Sequence, residues 1–394
     1  MIREISQLTL RAPKLAREQI RDHVREVILS GQMKPGDRIP STADLARQWA
    51  THVPTVHAAL SGLVKEGLLD RYPGKGTYVA ERTRALTCVG IYYGEDIWTK
   101  RVSAFLLSLH AALKEQLTRM GIQTDVWIDT RSSAEQTDAW LPLERAATQH
   151  RIQAVIATCV DWPHMKWLDR LAVPVSYLST ANVANKVTFD QRQLAELSLR
   201  RLAEQGCRSV GLISGVPSNV LDADGSPNDI TYFLRTFLHV AGELGLTIRD
   251  SWMRLAEHEH ALRGVPRAQY GYRQFRALWD QPEHPDGLLV DEDAVAAGAL
   301  MALVELGVRV PEELKLVLHK NEGVDLLCPV PATFAVSDET QLAGALIEQV
   351  QKQFRGERCE PIRLPYRLST TARQSPAAIG THQATRGGRE EEGT

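Results

Sequence analysis

Short apolar runs alternate with amphipathic helical segments through most of this 394-residue chain. The runs TCVGIYY, TDVWID and AVIATCV each precede a segment in which apolar residues recur at helical spacing. Parallel strands need a crossover connection, usually a helix, so the alternation predicts a doubly wound parallel sheet. A second series runs from QLAELSLRRLAEQG through SVGLISG and GLLVDED to LKLVLHK. The two series predict a two-lobed α/β domain over residues 87–375, with a ligand at the carboxyl ends of the strands in the cleft between the lobes.

The first eighty residues follow a different pattern, which predicts three helices and a β-hairpin. Apolar residues at helical spacing mark the first helix and the third: Ile20, Val24, Val27 and Ile28, then Val56, Leu60 and Leu63. Ser41, with Asp44 three residues later, predicts the capped start of the second helix. Gly74 and Gly76 flank Lys75 between two β-prone runs, as at the tip of a hairpin. This order predicts a winged helix-turn-helix over residues 1–80, with the third helix in the DNA major groove and the hairpin, called the wing, beside it.

These residues resemble the GntR family of bacterial transcription regulators. The resemblance lies in GDRIPSTADLA, TVHAALSGLVKEGLL and GKGTYV, and it extends along the whole N-terminal domain. The family commonly has arginine at three positions where this sequence has Ala43, Val53 and His57. Arginine binds guanine through two hydrogen bonds, whereas valine contacts only a thymine methyl group and histidine offers one hydrogen bond. Two interpretations stay open: the operator differs from the usual GntR site, or specific DNA recognition has weakened.

Candidate DNA contacts lie on the wing, the third helix and the start of the second helix. They are Arg38, Ser41, Thr42, Val53, Pro54, Thr55, His57, Lys65, Arg71, Gly74, Lys75 and Gly76. The basic residues among them, together with Arg47, would attract phosphates independently of sequence. The alternative for each basic residue is a solvated surface charge, and for His57 an ordinary exposed helix position.

The body resembles the sugar-binding effector domain of the LacI family, so that the whole chain is similar in architecture to the AraR repressors. VTFDQRQLAELSLRRLAEQGCRSVGLISG and DGLLVDEDAVAAGALMALVELGVRVPEELKLV carry this resemblance. It implies that Asp293 hydrogen-bonds ligand hydroxyls and that Asp190 stands at the crossover between the lobes. A family arginine falls at Phe233, with Arg235 two positions on, and a family G-F-D segment is replaced here by residues 318–320, which include His319.

Aromatic and acidic residues after the strands of the first lobe are further effector candidates. Tyr92, Tyr93 and Trp98 follow the first strand, and Asp161 and Trp162 follow the third. Aromatic faces beside carboxylates would suit a neutral polyol or sugar. The alternative for Tyr92 and Trp162 is that they are aromatic residues of the core or of the interface between the lobes.

Composition narrows the class of protein. Residues 1–84 hold 14 Lys and Arg against 9 Asp and Glu, a net charge of +5, whereas the whole chain carries −2, which fits a nucleic-acid contact at one end. Five widely spaced cysteines predict free thiols in a cytoplasm rather than disulfides or a zinc site. The N-terminus has no apolar stretch of signal-peptide length, and no segment offers about 18 consecutive apolar residues. We therefore expect a cytoplasmic protein outside the membrane.

The favoured function is a ligand-responsive transcription regulator, a repressor by resemblance, that binds double-stranded DNA as a homodimer. An enzyme is disfavoured because P-loop, G-x-S-x-G and HExxH motifs are absent, and the sequence indicates no metal and no cofactor. The alternative is a cytoplasmic small-molecule binding module that has lost specific DNA recognition. A periplasmic transport receptor is disfavoured because a winged helix occupies the place of an export signal. Residues 81–86 are expected to form a linker, and the polar, glycine-rich residues 376–394 a disordered tail.

Overall fold

A computed structural model describes most of the chain. The described ranges are residues 16–29, 32–65, 67–80, 86–98, 103–132, 134–149, 151–160, 166–217, 226–256 and 265–370. The expected tail lies outside these ranges, and so does the expected linker apart from Leu86. None of the helices within the ranges combines the length and apolar character that crossing a membrane requires.

The N-terminal elements form a three-helix bundle backed by a small sheet. In chain order they are α1 (Ala16–Leu29), β1 (Arg38–Ile39), α2 (Thr42–Gln48), α3 (Val53–Lys65), β2 (Leu69–Tyr72) and β3 (Gly76–Val79). Ile20, Val24, Leu45, Leu60 and Leu63 are fully buried in one apolar cluster, so the helical spacing predicted the core face correctly. The sheet has a strand that the sequence pattern did not indicate, because β1 pairs antiparallel with β3 in the order β1-β3-β2.

Helix α2 begins at the serine that the sequence pattern predicted. The Ser41 side chain accepts a hydrogen bond from the Asp44 amide at 3.1 Å, and its hydroxyl donates to the Asp44 carboxylate at 2.6 Å. A serine at this position satisfies one of the amide groups left open in the first turn of a helix.

The remaining elements build two sheets flanked by helices. In chain order they are β4 (Cys88–Tyr93), α4 (Ala104–Arg119), β5 (Gln123–Ile128), α5 (Leu141–Thr148), β6 (Ala154–Thr158), β7 (Val175–Leu178), β8 (Lys186–Phe189), α6 (Gln191–Glu204), β9 (Val210–Pro217), α7 (Asp229–Glu243), β10 (Met253–Ala256), α8 (Arg267–Trp279), β11 (Gly287–Val290), α9 (Asp293–Glu305), β12 (Lys315–Asn321), β13 (Thr333–Ser337), α10 (Glu339–Phe354), β14 (Ile362–Leu364) and β15 (Arg367–Thr370). Short 3₁₀ turns interrupt some of the connections.

The chain forms two compact units, each of which collects segments from distant parts of the sequence. The described residues within Met1–Phe189, Leu221–Asp229 and Glu339–Leu364 form the first unit. Those within Asp190–Val220, Ile230–Asp338 and Pro365–Thr394 form the second. The first unit therefore contains the winged helix and one large sheet, and the second contains the other large sheet.

Each large sheet has six strands in the described ranges and one point at which the strand order reverses. The first unit has the order β14-β8-β7-β6-β4-β5, all parallel, and the second has β10-β9-β11-β12-β13-β15, parallel except at β15. The chain moves from β4 outward to β5 and then to β6 on the other side, and it does the same from β9 to β10 and β11. Ligands of doubly wound sheets bind outside the carboxyl ends of the strands at such reversal points. A ligand site is therefore expected at the carboxyl ends of β9 and β11 in the second unit, and at those of β4 and β6 in the first.

Candidate DNA-binding and effector sites

The tip of the wing is a tight turn that exposes Lys75. The Lys75 amide donates to the Tyr72 carbonyl at 3.0 Å, and Gly74 has a φ of 73°. Proline followed by a glycine with positive φ is the pattern of a type II turn. The Tyr78 hydroxyl donates to the Lys75 carbonyl at 3.0 Å, so the next strand holds the turn in place. This geometry presents the lysine side chain to solvent at the end of the hairpin.

Gly76 makes room for a second exposed cation on the wing. Its φ is 119°, and a Cβ atom at this position would lie 3.0 Å from Nε of Arg38 on β1. A side chain here would be strained by the backbone conformation and would also press on the Arg38 guanidinium. The two glycines therefore have different roles. Gly74 allows the tight turn, and Gly76 leaves space for the Arg38 side chain.

The first turns of α3 expose the residues expected to meet DNA. Val53 is 45% exposed, and Pro54 and His57 are exposed as well. Thr55 is half-buried. The opposite face of the helix holds the buried Val56, Ala59, Leu60 and Leu63.

The other two helix positions on the expected DNA face lie at the start of α2. Ser41 is exposed but its hydroxyl caps the helix, and Thr42 is half-buried. Lys65 ends α3, and its side chain lies outside the described structure.

Arg71 is bound to α3 rather than standing free as a solvated cation. Its Nη1 lies 2.9 Å from Nε2 of His57 and 3.2 Å from Oγ of Ser61. Nδ1 of His57 in turn lies 3.5 Å from the same Ser61 hydroxyl. The wing strand β2 and helix α3 are therefore joined by a three-residue cluster that we call the His57 cluster: His57, Ser61 and Arg71.

In the second unit, a polar cluster occupies the reversal point between β9 and β11. Asp291 directly follows β11 and is buried, and its Oδ2 accepts from the Ser214 hydroxyl of β9 at 2.9 Å. Its Oδ1 lies 3.2 Å from Nδ1 of His319, on β12. Parallel neighbouring strands thus bring a carboxylate, a hydroxyl and an imidazole together at their carboxyl ends.

Asp293 belongs to the same cluster through a chain of hydrogen bonds. Its Oδ2 accepts from Nδ2 of Asn321 at 2.8 Å, and Oδ1 of Asn321 accepts from the Ser337 hydroxyl at 2.7 Å. Ser337 Oγ lies 3.0 Å from Nε2 of His319. Asp291 and Asp293 are therefore connected through His319, Ser337 and Asn321, all of them buried. We call these residues, with Glu292 and Ser214, the acidic cluster.

Asp291 and His319 each favour the charged form of the other. Burial alone would raise the pKa of Asp291, but the hydrogen bond and charge of His319 and the Ser214 hydroxyl hold it below its usual value. Burial alone would lower the pKa of His319, but the Asp291 contact and the nearby carboxylates of Asp293 and Glu292 raise it. Asp291 and His319 therefore shift each other's pKa in opposite directions, that of Asp291 downward and that of His319 upward. The Glu292 amide also donates to Nδ1 of His319 at 3.2 Å.

Glu292 is the strained member of the acidic cluster. Its φ is 68°, a left-handed conformation that costs a non-glycine residue about 1 kcal/mol or more. Burial raises its pKa to about 7, although the Arg267 guanidinium, 3.4 Å from its Oε1, opposes the shift. The Glu292 side chain is 30% exposed, in contrast to the nearly inaccessible side chain of Asp291. Strained residues of this kind cluster at ligand-binding sites.

The other effector candidates of the second unit lie outside the acidic cluster. Asp190 caps α6, since its Oδ1 accepts from the amides of Arg192 and Gln193 at 3.1 Å each. Phe233 is buried beside Phe237, and Arg235 is exposed on another face of α7. The alignment that places a family arginine at Phe233 thus points to a core residue here, because the phenyl ring packs inward.

In the first unit, Tyr92 is part of the core, which is the alternative that the sequence analysis left open. It is fully buried, with Trp140 and Trp167 packed edge-on against its ring. Its hydroxyl donates to Asp129 at 2.8 Å, and Arg131 binds both oxygens of the same carboxylate at 2.9 Å and 2.8 Å. The ring faces of Tyr92 are therefore unavailable for stacking on a ligand.

Of the remaining aromatic candidates, only Trp98 is exposed within the described structure. Tyr93 is fully buried, and its hydroxyl lies 3.0 Å from Nδ1 of His110. Trp98 is 59% exposed and packs edge-on against the same histidine. Asp161 and Trp162 lie outside the described residues.

The thiols and carboxylates give no indication of a metal centre in the described ranges. All five cysteines are free in the structure. No group of three or more His, Cys, Asp and Glu side chains among the described residues has the arrangement of a metal site.

Two family models match the chain in separate regions. Residues 16–79 match the gntR family of bacterial regulatory proteins. Residues 199–375 match a periplasmic binding protein-like domain. The first match covers the winged helix, and the second covers most of the second unit together with α10 and β14.

Two curated relatives each match part of the chain. The transcriptional repressor YtrA of Bacillus subtilis is 37% identical over 73 residues, which are 18% of this chain and 56% of YtrA. The transcriptional repressor PurR of Escherichia coli is 23% identical over 197 residues, which are 47% of this chain and 53% of PurR. The chain thus spans about half the length of these relatives. Both are transcription regulators, in agreement with the prediction that the chain is not an enzyme.

A solved structure shares the fold of the body. The lactose repressor bound to the anti-inducer ONPF superimposes with a TM-score of 0.55 at 17% identity, covering 71% of this chain and 97% of the repressor chain. The chain therefore carries a helix-turn-helix domain of the gntR family of bacterial regulatory proteins, joined to a periplasmic binding protein-like domain with the fold of the lactose repressor body.

Proposed function

We propose that the chain is a transcription repressor that binds operator DNA through its winged helix and changes its DNA affinity when a small molecule binds the acidic cluster. One observation carries the proposal. A recognition helix and wing with exposed DNA-facing residues stand in the same chain as a doubly wound body whose polar cluster lies at the reversal point of its sheet. The gntR-family match supports the first half, and the likeness to the lactose repressor supports the second.

The side chains of the acidic cluster favour a ligand rich in hydroxyl groups. Carboxylates accept hydrogen bonds from hydroxyls, and the amide of Asn321 and the hydroxyls of Ser214 and Ser337 can both donate and accept. Glu292 is the acid of this cluster with the most accessible side chain, and Arg267 adds a donor beside it. A sugar or related polyol fits this mixture, and a lactose repressor with the same body fold supports the class.

Regulation would follow from linkage between the two binding events. A small molecule shifts DNA affinity only by the difference between its affinities for two conformations of the protein. A two-fold operator requires two DNA-binding heads, so we propose that the working form is a homodimer in the cytoplasm. Analytical ultracentrifugation of the full chain, with and without operator, tests the dimer.

Selection of tight binders from a random double-stranded DNA pool tests the DNA-binding half of the proposal. A defined motif with two-fold symmetry supports an operator-specific regulator. Binding that is blind to sequence and disappears at raised salt supports the second candidate, a small-molecule binding module without specific recognition. The second candidate is favoured by Ala43, Val53 and His57, where the family has arginines, and by the capture of Arg71 in the His57 cluster.

We expect Lys75→Ala to weaken binding to every DNA sequence by a similar factor. The exposed wing lysine would neutralise a phosphate, so its loss should lower the slope of log affinity against log salt by about one unit per DNA head. Binding isotherms at several salt concentrations measure the slope. Lys114→Ala, which removes an exposed lysine of α4, is the matched control. An unchanged slope in Lys75→Ala would remove the wing lysine from the interface.

We expect Asp293→Ala to abolish the response to ligand while operator binding is retained. A panel of pentoses, hexoses and disaccharides is first screened by thermal shift, because a bound ligand stabilises the folded protein by mass action. Asp293→Asn keeps an oxygen that can accept the hydrogen bond from Asn321 but removes the charge, so it separates loss of the internal network from loss of the carboxylate. A normal response in Asp293→Ala would show that this carboxylate serves only the internal network.

A further inference from the structure

The part of α3 that would enter the major groove is unusually poor in hydrogen-bonding groups. Val53, Pro54 and Ala58 are exposed apolar residues of its first two turns. Thr55, the one hydroxyl residue in these turns, is half-buried. The remaining exposed side chain there is His57, so the surface chemistry depends on what its imidazole can offer.

The imidazole of His57 has both ring nitrogens engaged within the protein. An arginine can only donate, so the 2.9 Å contact with Arg71 requires Nε2 to be an unprotonated acceptor. The ring hydrogen then lies on Nδ1, which faces the Ser61 hydroxyl at 3.5 Å. In this neutral tautomer the imidazole presents its carbon edge outward, and it adds no hydrogen bond to the exposed surface.

Arg71 cannot replace the missing arginines of the recognition helix in this arrangement. The two hydrogens of its Nη1 are directed at His57 and Ser61. Its Nη2 is shielded from solvent and has no hydrogen-bond partner among the described residues. Recognition of guanine O6 and N7 by arginine needs a free pair of donors on one edge, which the guanidinium does not offer here.

We propose that α3 recognises the methyl groups of thymine, through Val53, Pro54, Ala58 and the carbon edge of His57, instead of hydrogen-bonding to guanine. The thymine C5-methyl is the one apolar group that base pairs present in the major groove, and exposed apolar side chains are its natural partners. Arg71 acts here as a positioning residue that holds the imidazole in place. The inference rests on the proposed function, since it specifies which DNA the winged helix selects.

Replacement of thymine by deoxyuridine tests this directly, because it deletes the methyl group and keeps the hydrogen-bonding edge. The probe is the duplex obtained from the random pool, made once with thymine and once with deoxyuridine at the positions that footprinting assigns to α3. Burying one methyl stabilises by about 0.8 kcal/mol, so we expect affinity to fall about fourfold for each thymine methyl group that is removed from the interface. Deoxyuridine placed outside the footprint is the control and should leave affinity unchanged.

Protein variants assign the methyl contact to the helix. In Val53→Ala, the loss of affinity caused by deoxyuridine should become smaller at one thymine position, because the shortened side chain no longer contacts that methyl group. A double-mutant cycle measures this coupling between side chain and methyl group. Leu238→Ala truncates an exposed apolar residue of the body and should show the full deoxyuridine effect. Arg71→Lys should lower the thymine preference next to His57, since lysine cannot reproduce the two-pronged contact.

The outcomes separate the inference from the proposed function. A selected motif whose α3 positions are guanines, or equal affinity for the thymine and deoxyuridine duplexes, overturns the methyl contact and leaves a DNA-binding regulator. Sequence-blind binding overturns both the operator and the methyl contact. Failure to bind any DNA rejects the proposed function itself.

Discussion

Gly298→Ala should destabilise the second unit by more than about 3 kcal/mol, which is the upper end of ordinary overpacking effects. A Cβ atom at position 298 would lie 1.8 Å from the Ala268 carbonyl oxygen of α8. The converse position on α8, Gly271, would place a Cβ atom 2.0 Å from the Val295 carbonyl oxygen of α9. These obstacles are backbone atoms, so no change of rotamer relieves them and the two helices must move apart. Thermal unfolding should show a transition lower by at least roughly 6 °C.

Gly242→Ala is the matched control, and its effect on the free energy of unfolding should have the opposite sign to that of Gly298→Ala. Gly242 lies in α7, and an added Cβ atom would meet nothing within 4 Å. Alanine is favoured over glycine in a helix interior by up to about 1 kcal/mol, so this variant should be slightly more stable than the natural chain. If Gly298→Ala also melted at or above the natural temperature, the close packing of α8 on α9 would be refuted.

Lys186→Met should destabilise the first unit by about 3 kcal/mol, because it leaves a buried carboxylate without its closest cation. Lys186 is 1% exposed, and its Nζ lies 2.7 Å from Oδ2 of Asp229, itself 5% exposed. Arg363 donates to the other oxygen at 3.0 Å but is 39% exposed, so it compensates only in part. We expect a fall of roughly 6 to 12 °C in the thermal transition of this unit.

Two further variants separate the buried ion pair from general effects of charge. Lys352→Met removes a lysine from an exposed ion pair with Glu348. The midpoint temperature of unfolding should stay unchanged, since exposed ion pairs contribute little to stability. Lys186→Met combined with Asp229→Leu removes both buried charges and should recover much of the lost stability, because apolar replacement of a buried pair is often close to neutral. Equal losses in the single and double variants would show that the lysine acts through packing rather than through its charge.

The acidic cluster shows how far the sequence could predict a site. Asp293 and His319 are candidates because of the resemblance to the LacI family, which places a ligand-binding aspartate at position 293 and a family segment at residues 318–320. Ser214, Asn321 and Ser337 stand at equivalent positions, but their membership depends on the order β9-β11-β12-β13, which no local pattern contains. Their common signal, a small polar residue at or near the end of a buried strand, could have suggested them.

Two other candidates lie in the core, for equally physical reasons. Phe233 was aligned with a ligand-contacting arginine, but the structure turns this position of α7 toward the core and leaves Arg235 exposed. Tyr92 is a candidate because it lies at the end of the first predicted strand, yet the structure buries it and its hydroxyl donates to Asp129 inside the unit. Burial depends on what packs above a strand, and the residues that cover Tyr92 lie far along the chain.

The sequence by itself determined the local elements of this protein. The start of α2 at Ser41, the turn at the wing tip and the buried face of α1 follow from residues within a few positions of one another, because capping, turn geometry and helical periodicity act at that range. Only the tertiary structure decided that Glu339–Leu364 returns to the first unit, that Arg71 is bound to His57, and that Asp291 and Asp293 share a network. Each of these outcomes depends on atoms that are distant in sequence and meet only when the strand order and the helix packing are complete.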